Sequence, residues 1–92
     1  MELIYNIPES IDELFERGED TYYIQDYTIE PMDNNESMAF FLDRLGIPES
    51  NIDLNDGTQV ILKHDNYPQF RLIIDAGGFG DFYSHKFDVI II

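Results

Sequence analysis

The sequence predicts an α+β domain, two helices packed on a small antiparallel β-sheet, and three observations predict it. Two stretches carry apolar residues at helical spacing and stop at a glycine, Gly18 and Gly46. Several other stretches are rich in β-branched and aromatic residues and are bounded by turn-forming residues. The last three of these follow one another closely, which favours an antiparallel meander.

The elements follow in order. Residues 2–6 form a short strand or an extended lead-in. A first helix is expected over about 8–17: Pro8 suits a first helical position, Ser10 with Glu13 matches a capping box, and Gly18 is the stop. On it Ile11, Leu14 and Phe15 share one side, while Glu9, Asp12, Glu13 and Glu16 fall within an arc of roughly 100° on the other. Residues 21–29 read as a strand that Pro31 ends, and 30–37 as a polar loop. A second helix is expected over about 35–45, capped by Asn34 or Asn35, with Met38, Phe41, Leu42 and Leu45 as its apolar stripe. Phe40 lies off that stripe, beside Glu36 and Asp43. Residues 47–57 read as a loop with a turn at Asp56-Gly57. Strands are expected near 58–64, 69–75 and 85–92, with Asn66-Tyr67-Pro68 turning the first pair and Gly77-Gly78-Phe79-Gly80 loosening the second connection. The final strand is apolar on both faces, so it is central in the sheet or covered by a partner.

A chain of 92 residues is expected to be one domain over 1–92, and 43 % hydrophobic residues with seven Phe and six Tyr suffice for a core. The absence of cysteine rules out disulfides and thiolate metal sites and fits a reducing cytoplasm. No apolar run approaches the roughly 20 residues that cross a bilayer, and the start of the chain lacks the basic segment of a signal peptide. Nineteen Asp and Glu against five Lys and Arg give a net charge of −14. Small domains ordinarily carry a magnitude of about 2–8. Such a field repels nucleic acid and anionic membrane and attracts basic protein surfaces.

Motifs for chemistry are weak. Residues 51–57 echo a calcium loop, but the glycine comes one position late and the bidentate acid position falls on Leu62; a polar turn explains the same residues. The glycine cluster at 77–80 lacks the helix and lysine of a phosphate loop. His64 and His85 with a carboxylate would make a metal site only if their strands brought them together. Ser84 and His85, adjacent on a strand, point to opposite faces and cannot pair as nucleophile and base. The expectation is a binding protein without catalytic residues, cofactor or metal.

The candidate binding residues are the acids: Glu9, Asp12, Glu13, Glu16, Asp20, Asp26, Glu30, Asp33, Glu36 and Asp43. Like charges at i,i+3 and i,i+4 cost a few tenths of a kcal/mol per pair, which two lysines on the first helix would have relieved. Neighbouring helical carboxylates lie about 5–6 Å apart at Cβ, a scale similar to the phosphates of one DNA strand, so a basic DNA-binding cleft would accept them. Each acid taken singly also reads as a solvated surface group. Phe40, in its acidic neighbourhood, is a candidate dimer contact or an extra core contact.

Small size, absence of cysteine, a net charge of −14 and an acidic helix face resemble the Arn-type DNA-mimic anti-restriction proteins of T-even phages. The resemblance is one of overall character across the chain and has no signature motif. It implies a protein of the infected host's bacterial cytoplasm that binds the McrBC restriction endonuclease and protects modified phage DNA. It further implies a homodimer, and binding to histone-like nucleoid proteins. Without mimicry, the same charge suits an acidic adaptor of another basic protein, such as a transcription factor or a CRISPR effector.

Overall fold

Where the first helix starts is decided by a hydroxyl. In a computed structural model, which describes residues 2–47, 52–55, 59–64, 66–76 and 84–92 (52–55 and 76 through their backbone), α1 spans Ile11–Arg17. Ser10 is extended and its side chain accepts the Glu13 amide at 3.1 Å, satisfying one of the orphan donors of the first turn. A start at Pro8 would place Ser10 inside the helix and lose that cap. Gly18 closes α1 in the left-handed region, at φ 64°, with its amide on the Leu14 carbonyl.

The second helix, α2, spans Asn34–Leu45 and is capped by Asp33 instead of Asn34 or Asn35. Asp33 accepts the Glu36 amide at 2.8 Å and Glu36 accepts the Asp33 amide at 3.2 Å. Only a cap at 33 puts a glutamate three residues on and closes this reciprocal box.

Six strands form one antiparallel sheet in the order β1-β2-β6-β5-β4-β3. They are β1 (Leu3–Tyr5), β2 (Thr21–Asp26), β3 (Ile52–Asn55), β4 (Gln59–His64), β5 (Tyr67–Ala76) and β6 (Ser84–Ile91). The protein is thus an α+β fold, and β4, β5 and β6 make the expected meander. Three boundaries differ from the sequence reading. β2 stops at Asp26, because the Asp26 carboxylate accepts the Thr28 amide and hydroxyl and the Met32 amide and turns the chain away. Tyr67 and Pro68 belong to β5 and not to a turn; a register irregularity between Leu62 and His64 admits the proline near the strand's start. β3 lies inside the stretch read as a loop: four residues with two apolar side chains pair with β4 at the sheet edge. The Asp56-Gly57 turn and the Gly77–Gly80 connection lie outside the described residues. β6 sits between β2 and β5, which accounts for its apolar character.

Strand parity assigns the faces. Tyr22, Ile24, Val60, Leu62, Phe70, Leu72, Ile74 and Phe87 point inward and are buried with Ile11, Leu14, Met38, Phe41, Leu42 and Leu45 of the helices in one core. Phe41 joins the layers, with ring centroids 4.6 Å from Phe87 and 5.9 Å from Tyr22. Thr21, Tyr23, Gln25, Gln59, Ile61, Lys63, Arg71, Ile73, Asp75, Lys86, Asp88 and Ile90 alternate with them on the opposite face, which no helix among the described residues covers.

Candidate functional site

The acidic residues read from the sequence divide by the work each carboxylate already does. Glu9, just before α1, and Asp12 and Glu16 on it are exposed, and Glu13 is half-buried. Glu9 pairs with Arg44 at 2.6 Å, which ties the start of α1 to the end of α2. The Glu13 side chain accepts the Glu9 amide at 2.9 Å and lies 3.8 Å from Arg17, whose stronger partner is Glu19 at 2.6 Å. Tyr67 donates its hydroxyl to Asp12, and that bond, with burial and the Asp12 charge, raises the phenol above its usual range. Phe15 stacks on the Tyr67 ring at 4.7 Å, so an acid and an aromatic one turn apart on α1 hold one tyrosine.

On α2, Asp33 and Glu36 are the two halves of the capping box, exposed and charged but fixed in place. Asp43 is exposed one turn beyond Phe40, and Glu30 is exposed in the connection before α2. Asp20 is exposed between α1 and β2, where its carbonyl accepts the Val89 amide. Among the described residues Glu16, Asp20, Glu30 and Asp43 are exposed acids whose side chains have no partner.

Asp26 does not belong to this surface. It is 1 % exposed and points into the core beside His85, so its carboxylate cannot meet a partner protein. Burial raises its pKa, but the hydrogen bonds from Thr28 and Met32, helped by His85, more than offset this and hold it below the ordinary 3.8. Its role is to organise the 27–32 connection. Phe40 likewise turns inward: it meets Tyr5 edge-to-face at 5.2 Å and packs against the core, while Arg44 lies 5.2 Å above the Tyr5 ring.

The histidines are far apart. His64 pairs with Tyr67 and His85 with Ala76, nine residues along β5 and so about 30 Å. Among the described residues no group of three metal-binding side chains occurs. His85 is 1 % exposed with both ring nitrogens lacking a hydrogen-bond partner. Burial pushes its pKa below 6.5 against the pull of Asp26.

The cations carry a pattern that the sequence reading missed. Arg17 and Arg44, on the helices, are engaged by glutamates. The other three of the five, Lys63, Arg71 and Lys86, all lie on the open sheet face. Among the described residues the helix side is therefore strongly acidic and the open face nearly balanced. Strand parity holds the signal, since each of these cations is an odd step from a buried neighbour.

Comparison with protein-family models, with curated proteins and with solved structures finds no match. Among the described residues no helix is long and apolar enough to cross a membrane.

Proposed function

We propose that this protein is a DNA mimic, an inhibitor that occupies the DNA-binding cleft of a host restriction endonuclease of the McrBC type. The observation that carries the reading is the one-sidedness of the charge. Exposed carboxylates of α1 and α2 share the helix side, where the only described cations, Arg17 and Arg44, are already paired. A Lys/Arg cleft that receives this side releases the counterions it would release on binding phosphates. The choice of endonuclease follows the resemblance, and so does the placement in the host cytoplasm.

Titration of the protein into cleavage of modified-cytosine duplex DNA by such an endonuclease tests it. Inhibition that weakens as duplex DNA is added is the expected result. Unchanged cleavage, or inhibition indifferent to added DNA, contradicts it.

The ion pairs of Arg17 and Arg44 interrupt the acidic array, and this favours a second reading: an acidic adaptor or inhibitor of another basic protein, such as a histone-like nucleoid protein, without mimicry. It predicts equally salt-sensitive binding that DNA does not displace.

A further inference from the structure

The outer side of β2 is only partly covered. β1 pairs with Ile24, Gln25 and Asp26 and stops at Tyr5. The chain then leaves the sheet: Arg17 donates to the Asn6 carbonyl at 3.1 Å and to its side-chain oxygen at 3.3 Å, and Ile7 is buried in the core. Register fixes what this departure uncovers. The Val89 amide donates to the Asp20 carbonyl, so 20 and 89 form a hydrogen-bonded pair, and Thr21 with Asp88 forms a pair of the alternate kind. The Thr21 amide and carbonyl therefore point away from β6, to the side where β1 would continue, and no strand lies there among the described residues. The Tyr27 amide, which donates to the Glu2 carbonyl, gives the same parity from the β1 side. A groove of about 430 Å³ runs beside this edge. Tyr5 and Tyr22 line it on the helix side, with Arg17 5.0 Å over the Tyr22 ring, and the exposed Tyr23 and Ile4 line it on the other. Glu19, also exposed, completes the lining.

We propose that this edge is a docking site for an extended segment of another protein bearing lysine or arginine, which adds to β2 in line with β1. Strand addition draws affinity from main-chain hydrogen bonds and specificity from pockets for alternate side chains. The edge offers both: the Thr21 amide and carbonyl for the backbone, and the groove for a side chain. The groove falls within the roughly 300–1,000 Å³ of sites that hold ligands. Sheet edges are ordinarily guarded by lysine, proline or a bulge. Thr21-Tyr22-Tyr23 has none of these, and its register with β6 is regular. Charge selects the occupant. Glu19 and Asp20 flank the edge, both exposed, in a protein of net charge −14. An acidic chain, a second copy of this one included, is repelled, whereas a basic one is drawn in. Its cationic side chain meets the Glu19 carboxylate and the tyrosine rings that line the groove, both of which favour a cation. This inference stands apart from the inhibitor reading, because it uses the sheet edge and needs a single extended segment instead of a cleft.

Amide chemical shifts of the isotope-labelled protein, titrated with a capped hexapeptide of alternating lysine and valine, test it. Saturable shifts centred on residues 19–23 are expected. Methylating the peptide's backbone nitrogens abolishes them although its charge is unchanged, and a peptide with glutamate in place of lysine produces none. Thr21→Pro removes an amide that serves no ladder bond, at the first residue of a strand, where proline is tolerated. It weakens binding about 5-fold or more, and Glu19→Lys weakens it as well. Circular dichroism verifies that each variant is folded, and the methylated peptide decides the matter on the wild-type protein should Thr21→Pro unfold. Shifts spread over the acids of α1 and α2 and equal for the methylated peptide mean charge attraction alone and overturn the proposal. Absence of binding overturns it too, and so do shifts at 19–23 that grow with protein concentration in the absence of peptide, the mark of a second copy on the edge.

Discussion

The two sides of the sheet use charge differently. On the helix side exposed carboxylates stand along α1 and α2, and the two arginines there hold elements together. On the open side three cations and two acids sit among isoleucines and tyrosine. Among the described residues the acidic surplus is therefore not spread evenly but concentrated where the helices lie. Solubility alone requires no such division. A surface that must meet a basic partner requires one.

Substitutions sort along the same line. The largest effect is expected beneath the acidic side. Phe41 is fully buried between the layers, and Phe41→Ala should cost about 3–5 kcal/mol in urea unfolding. Asp26→Asn should cost about 2–3 kcal/mol, since it weakens a buried acceptor of three hydrogen bonds. It should leave the salt dependence of partner binding unchanged. An Asp26→Asn protein as stable as wild type but altered in binding would return Asp26 to the surface set.

The pair Asp26 and His85 also sets an acid limit. His85 is depressed below 6.5, so the folded state binds fewer protons than the unfolded chain as pH falls below that value, and stability declines there. Asp26 is depressed below 3.8, so its contribution is present above 3.8 and lost as pH falls further. Unfolding free energy measured against pH should show both declines. His85→Leu should remove the first.

Exposed acids should do the reverse. Glu16→Lys, Asp20→Lys and Asp43→Lys should each weaken partner binding by about 1 kcal/mol, roughly 5-fold, with little change in stability. The smallest departure is Asp33→Ala, about 1 kcal/mol of stability through the lost cap. Calorimetry of binding and of unfolding separates the two classes.

Much of the fold was legible because its signals are local. Ser10 with Glu13, the glycines at 18 and 46, and the stripe Met38, Phe41, Leu42, Leu45 act within a turn or two of chain. What escaped depended on neighbours distant in sequence. β3 is a strand only because β4 pairs with it. Asp26 looks like any other acid until Thr28 and Met32 turn back onto it. The acidity of the candidate surface was visible, but its one-sidedness was not, because the faces of β4, β5 and β6 are assigned only once the helices cover one of them.

Capture from bacterial lysate, with and without excess duplex DNA, tests the division of the two sides most directly when three proteins are run in parallel: wild type, the triple variant E16K/D20K/D43K, and I73D. The account predicts a captured DNA-binding protein that duplex DNA displaces, that the triple variant loses, and that I73D retains. Capture indifferent to DNA, or retained by the triple variant and lost with I73D, would contradict it.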